Sequence, residues 1–217
     1  MGWIFWDLAG PFALRAGHTP LSQTLIEQGR DALQTQNIVT AVVVSIRGFD
    51  TLGEVVVLFI AAIAVGFLMR HRERRTTASS LSPASEIVTT CAGIMTPMVM
   101  VLGIYVFTHG HLTPGGGFQG GVIVATAVIL LILSGRISGL NHTVLRLTES
   151  LSGAGYVALA LFGLALTGSF LDPRFLPLGS FGALLSAGAI PLIYIFLGIK
   201  VGAELIGIVT ALKRGER

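Results

Sequence analysis

The chain has 217 residues, 53% of them apolar and only 12% charged, and its mean hydropathy is +0.81. A soluble domain averages about 25% charged residues, so the composition excludes an ordinary soluble domain, a disordered chain, a disulfide scaffold and a coiled coil, and it argues for an all-α integral membrane protein. The formal net charge is +3, but the basic residues cluster beside apolar runs, which is the pattern of membrane orientation and not of nucleic-acid binding.

In chain order, Trp3, Trp6 and Phe12 stand in a stretch too short to cross about 30 Å of hydrocarbon and fit an interfacial segment. It lacks the basic start and unbroken apolar run of a secretory signal. Val39, Val42, Val43 and Val44 predict a short extended stretch over residues 37–46. The first span is predicted over residues 52–69, about 27 Å long, which sets Glu54 at the membrane boundary or just inside it. Arg70, His71, Arg72, Arg74 and Arg75 end it. Residues 72–85 are rich in Ser and Thr and read as a linker, with Ser82 and Pro83 as a helix start.

The second span is expected over residues 87–107, with a kink at Pro97. A glycine-rich turn follows, and the third span must begin at once, over residues 118–133. The fourth covers residues 151–171, with Glu149 as a helix-start acid. The fifth is predicted over residues 189–212, with Pro191 in its first turn, leaving residues 175–188 as a re-entrant or interfacial segment. About five transmembrane helices result, N-terminus outside and C-terminus cytoplasmic. That orientation puts Arg70 to Arg75, Arg136, Arg146, Lys213, Arg214 and Arg217 inside, against Arg174 in the outer loops and Arg15, Arg30 and Arg47 before the first span.

Three groups could carry chemistry. Lys200 and Glu204 stand at i and i+4 and share a helix face. If the fifth span runs through them, they mark an ion or proton path or a structural ion pair; if it ends at Ile199, Lys200 is an interfacial anchor. Glu54 could pass a proton or cation between water and a membrane path, or simply complement a helix N-terminus. Arg47 and Asp50 beside it can pair. His109 and His111 could shuttle protons, but no third metal ligand is evident, and the simpler role is hydrogen bonding that holds an outer loop. The run Gly115-Gly116-Gly117 lacks the ending of a phosphate loop and suits a tight turn with room for another backbone. Lone Cys91 offers neither disulfide nor metal cage. No cofactor, metal or catalysis by this chain alone is expected.

Two motifs carry a family resemblance. Arg47-Gly48-Phe49-Asp50-Thr51-Leu52-Gly53-Glu54, followed by an apolar helix, resembles the C-terminal tail of the Mrp antiporter A subunit and the small subunit of membrane-bound hydrogenase. His109-Gly110-His111-Leu112-Thr113-Pro114-Gly115-Gly116-Gly117-Phe118-Gln119-Gly120-Gly121, with Ala187-Gly188-Ala189-Ile190-Pro191 and Gly198-Ile199-Lys200-Val201-Gly202-Ala203, resembles the Mrp B subunit of the MnhB family. The resemblance implies an A-tail-like segment over 1–75 with one span, a cytoplasmic linker over 76–85 and an MnhB-like domain over 86–217 with four spans. It implies a membrane subunit of a multisubunit Na⁺/proton antiporter in a prokaryotic cytoplasmic membrane. The partners would be other antiporter subunits, Na⁺, H⁺ and membrane lipids. The same module inside a redox-driven complex such as membrane-bound hydrogenase, or a purely sealing subunit, are the alternatives. On this reading Glu54, Lys200 and Glu204 are ion-path candidates, and His109, His111, Pro114, Gly115, Gly116, Gly117 and Gln119 form a structural loop.

Overall fold

The computed structural model describes residues 19–30, 32–72, 84–137 and 139–215. The N-terminal tryptophans, most of the linker and the Ser82–Pro83 pair lie outside those residues. Among the described residues all regular structure is helical: α1 (Pro20–Arg30), α2 (Ile38–Thr40), α3 (Gly48–Arg72), α4 (Glu86–Thr108), α5 (Gly117–Leu133), α6 (His142–Thr167) and α7 (Ile190–Gly215).

The valine-rich stretch is not extended. Asn37 caps α2 by accepting from the Thr40 amide at 3.3 Å, and the chain continues as a π-helical turn over Ala41–Ile46. The Arg47 amide closes this turn on the Val42 carbonyl at 2.7 Å, and the Thr51 hydroxyl donates to the Val43 carbonyl at 2.7 Å. Local helical bonds satisfy the backbone where no neighbouring strand could, which is why β propensity loses here.

Among the described residues four helices are long and apolar enough to cross a membrane: Gly48–Met69, Glu86–Thr108, His142–Thr167 and Ile190–Lys213. The fifth apolar helix, α5, has 17 residues and reaches about 26 Å. The span starts differ from expectation in three places. The first helix begins at Gly48, so Glu54 lies in its second turn and Asp50 is the first-turn acid. The second is capped by Ser85, not Ser82, with its hydroxyl accepting from the Val88 amide at 3.4 Å. The fourth begins at His142 behind the Asn141 cap, so Glu149 is two turns inside the helix and not at its start. Residues 168–189 form an irregular link with one short 3-10 turn, Pro173–Phe175.

Helix α7 is the hub. It packs on α3, α4, α5 and α6, and 56% of its apolar window is buried, against 6% for α3. One side of α7 meets α5 through glycines. A Cβ on Gly121 would lie 2.6 Å from the Gly198 carbonyl oxygen, and one on Gly120 would lie 2.6 Å from Phe107 Cβ of α4. These contacts are closer than real side chains allow, so small residues let the backbones of α4, α5 and α7 touch. The other side of α7 packs on α6 around Tyr156, Ala160, Ile193 and Leu197.

Candidate functional site

The glycine-rich turn is held by the N-terminal segment through carbonyl groups, not through its histidine rings. The Thr35 hydroxyl donates to the His111 carbonyl at 2.6 Å, and the Asn37 amide donates to the same oxygen at 3.1 Å. Asn37 Nδ2 donates to the Gly110 and Thr113 carbonyls at 2.8 and 3.0 Å. The Thr40 hydroxyl donates to Gly110 at 2.7 Å and accepts from the Tyr194 hydroxyl of α7 at 2.9 Å. These bonds satisfy a buried turn from outside it. Gly117 fits against the Tyr194 carbonyl oxygen, which a Cβ would approach to 2.9 Å. Pro114 and Gln119 are exposed, whereas Gly116 and Gly117 are buried.

The two histidines have different surroundings. His109 stacks on Tyr105 and has Thr108 Oγ1 3.0 Å from Nδ1. His111 is fully buried, with neither ring nitrogen in a well-formed hydrogen bond. Burial lowers its pKa below the usual 6.5, backbone groups of Ala183 and Leu184 pull the other way, and the charge of His109 adds to the lowering. Among the described residues no group of three or more His, Cys, Asp or Glu side chains converges as a metal site. Nearby, burial pushes the Asp172 carboxyl up, but hydrogen bonds and charge from Arg174, with a bond from Thr167, outweigh it and hold it below 3.8. The Arg174 Nε contacts both carboxylate oxygens of Asp172 at 2.9 Å.

Lys200 and Glu204 form a buried ion pair in which the Lys200 ammonium donates to Glu204 Oε1. Their side chains are 8% and 0% exposed. The ammonium lies 5.3 Å from the centre of the Phe59 ring of α3, within cation–π range. On α6, Gly153 makes room for the lysine stem, whose Cδ and Cε would sit 3.6 Å from a Cβ there. Glu204 Oε2 is buried without a hydrogen-bond partner. Helix order does not explain the pair, because lysine before glutamate is the less favourable direction.

Two residues on α6 join this pair and were not legible as site residues. Tyr156 is buried with its hydroxyl unpartnered and lies within electrostatic reach of Glu54. Glu149 lies within electrostatic reach of Glu204 and shares a cavity of about 740 Å³ with it. The cavity opens between α3 and α6 and is floored by α7, with His142, Arg146, Gly66 and Gly207 also on its walls. The signal that could have found them is spacing: Glu149, Ser152, Gly153, Tyr156, Ala160 and Gly163 recur at helical intervals on one face of α6.

These groups are ordered along the helices. At about 1.5 Å per residue, Glu54 lies about 9 Å along α3 from Gly48, and Lys200 and Glu204 lie about 15 and 21 Å along α7 from Ile190. Tyr156 and Glu149 lie about 16 and 27 Å along α6 from Thr167. The polar groups therefore descend from the Gly48 end of the bundle toward the arginine-rich end, inside otherwise apolar helices. Glu54 itself is exposed on the bundle surface, and Arg47 and Asp50 pair one turn before it.

A family model described as a domain related to the MnhB subunit of Na⁺/H⁺ antiporter matches residues 87–207. The chain belongs to the MnhB family. A second model, MbhE, described as the E subunit of MBH, matches residues 11–86. An uncharacterized protein of Methanocaldococcus jannaschii is 32% identical over 194 residues, covering 78% of this chain and 74% of the relative. The B subunit of the Na⁺/H⁺ antiporter of Bacillus subtilis is 29% identical over 85 residues, and the match spans 39% of this chain and 57% of that protein. Among solved structures, a chain of the membrane-bound sulfane sulfur reductase, an archaeal respiratory membrane complex, aligns with TM-score 0.82 and 38% identity over 96% of this chain and 92% of that one. A chain of the Mrp complex from Dietzia aligns with TM-score 0.70 and 22% identity, over 95% of this chain and 24% of that one, which shows a shared fold. The MnhB-family chain is a multi-pass membrane protein of the prokaryotic cytoplasmic membrane, and both resembling motifs fall within the matched segments.

Proposed function

We propose that this chain is a membrane subunit of a multisubunit monovalent cation (Na⁺)/proton antiporter module of Mrp type, and that it helps carry protons or cations as well as holding the assembly together. The observation that carries the reading is the buried Lys200–Glu204 pair on the central helix, with one carboxylate oxygen unpartnered. A charge at the middle of a spanning helix costs about 2.5–3.5 kcal/mol on insertion scales, and such residues mark ion and proton paths. In this proposal the chain crosses five times, with α5 as the short crossing. The N-terminal side lies outside and the arginine-rich end lies in the cytoplasm. Residues 1–75 act as an A-tail-like segment and residues 86–217 as the MnhB-like domain, joined by a cytoplasmic linker over 76–85. Glu54 exchanges ions at the outer part of the path and Lys200–Glu204 is its buried step. The turn containing His109, His111, Pro114, Gly115, Gly116, Gly117 and Gln119 is structural.

A second reading places the same module in a redox-driven respiratory complex. It is favoured by the nearly end-to-end match, 96% and 92% of the two chains, to a chain of an archaeal respiratory membrane complex. Mass spectrometry of the proteins that co-purify in mild detergent decides between the hosts: antiporter-like membrane subunits alone support the first, and metal-cluster subunits support the second. Substitution tests the transport role in either host. Glu54→Gln and Lys200→Ala are expected to cut cation-coupled proton movement while the complex still assembles. Intact transport in an assembled complex would leave the chain as a sealing component.

A further inference from the structure

The cavity beside the ion pair has a second carboxylate that the transport reading leaves idle. It is open at the bundle surface between α3 and α6, and at about 740 Å³ it far exceeds the roughly 30 Å³ that one water occupies. Its wall includes Glu204, whose Oε2 is fully buried and without a partner. Among the described residues the other carboxylate on that wall is Glu149, which is half-buried. Glu149 sits about 10 Å along α6 from His142, between that end of the helix and the level of the buried pair.

We propose that Glu149 is the residue that exchanges protons between cytoplasmic water and the Lys200–Glu204 pair. The inference rests on the transport reading above and on its orientation. The transfer balances simply. The Glu149 carboxylate takes a proton from cavity water and passes it, directly or through one water, to the free Oε2 of Glu204. Glu149 returns to a carboxylate and Glu204 becomes a neutral acid. The Lys200 ammonium keeps its proton and loses its counter-charge. Reversal returns the proton to water.

Every charged or titratable group facing the transfer fits this role. From α3 the described wall residues are Ala62, Ile63, Gly66 and Met69, none of them titratable. From α6 it carries His142, Arg146 and Glu149, and from α7 Glu204, which holds Lys200. Arg146 and Glu149 are three residues apart on one helix face, so the mouth is not a bare acidic patch that would hold cations by charge alone. Gly66 of α3 has open space where a side chain would sit, and it lines the same cavity as both carboxylates.

The test uses the assembled complex in everted membrane vesicles, with Na⁺-driven proton movement followed by a pH-sensitive dye. Glu149→Ala is expected to slow the initial rate about a hundredfold, the low end of what a positioned proton-transfer group contributes. Added formate or azide, small weak acids that ferry protons, is expected to restore much of the loss in Glu149→Ala and none in Glu204→Gln. Glu149→Gln keeps the shape and is expected to be slow as well. If Glu149→Gln transports at the normal rate while Glu204→Gln does not, the entry role is overturned and the transport reading stands. If Glu204→Gln also transports normally, the transport reading falls with it. Slow variants that formate fails to rescue assign Glu149 a structural role and overturn the proposal. Should the variants not assemble, carbodiimide on the unaltered complex still decides: modification of Glu149 is expected to track loss of transport, and full transport with Glu149 modified overturns the inference.

Discussion

The two sides of α7 solve opposite problems. Toward α4 and α5 it is dry and glycine-packed, with backbone against backbone at Gly117, Gly121 and Gly198. Toward α3 and α6 it carries a charge pair and faces an open cavity, and the unpartnered hydroxyl of Tyr156 comes from α6. In a bilayer the hydrophobic effect does not drive helices together, so close small-residue contact must do so. The glycine side supplies that contact. The other side joins an apolar seam around Tyr156, Ala160, Ile193 and Leu197 to a buried charge pair beside a cavity, so close packing and polar groups share that face at different depths. The difference teaches that stability and function are divided between two faces of one helix, and each face can be broken separately.

The largest effect is expected on the glycine side. Gly121→Val or Gly120→Leu drives a side chain into backbone atoms 2.6–2.8 Å away, and neither backbone has a flexible tip that could move aside. Overpacking of this kind costs about 1–3 kcal/mol per site and more where backbone blocks it. The chain is expected to fall to trace levels in membranes, read by immunoblot and by thermal unfolding in detergent. Gly53→Ala is the control: its Cβ meets nothing within 4 Å, and it is expected to accumulate normally.

The polar side should break differently. Lys200→Ala leaves Glu204 buried without its counter-charge, and removing one member of a buried pair costs about 3–5 kcal/mol. The double change Lys200→Ala, Glu204→Ala removes both charges and is expected to recover much of the unfolding temperature while transport stays lost. If the double variant is no more stable than the single, the pair is not a coupled unit. Tyr156→Phe removes a hydroxyl that has no partner, so it should leave unfolding unchanged and act, if the path runs past it, on transport alone.

Much of this division could be read in the sequence, and the rest could not for physical reasons. Lys200 and Glu204 announce themselves, because charges four apart in an apolar run are rare and must meet. The helices are legible wherever apolar runs approach twenty residues. Their ends are less so, because an amphipathic first turn such as His142–Thr148 looks like a loop by hydropathy alone. That error hid Glu149 as a helix-start acid. The valine run at 41–46 was misread because local composition says nothing about whether a partner strand exists. The histidines of the glycine turn drew attention by their chemistry. The groups that hold it, Thr35, Asn37 and Thr40, are common polar residues some seventy positions away, and only the fold brings them there.

That long-range clasp joins the two faces' supporting parts and gives the next prediction. Asn37→Ala removes two side-chain donors to the turn and the cap of α2. Gly110 keeps its bond from Thr40, whereas the Thr113 carbonyl loses its side-chain donor, and a carbonyl left unsatisfied where it is buried costs about 1–3 kcal/mol. Hydrogen exchange at residues 35–47 and 109–113 should rise together, while α6 stays protected. A rise confined to one of the two segments would show that the clasp does not couple them.

The smallest effect is a pH dependence seated in the same turn. Burial holds the His111 imidazole below its ordinary pKa, so the unfolded chain binds a proton more readily than the folded one. Stability from this residue is therefore complete above about pH 6.5 and lost as pH falls below it. Asp172, in the link after α6, also has a depressed pKa, and its contribution is lost as pH falls below about 3.8, a window apart from that of His111. Unfolding temperature measured from pH 7.5 to 5 should decline in the unaltered chain and decline less in His111→Phe, which keeps an aromatic ring in the cavity without a titrating nitrogen. Equal slopes in both would assign the acid sensitivity to another group and leave His111 as packing alone.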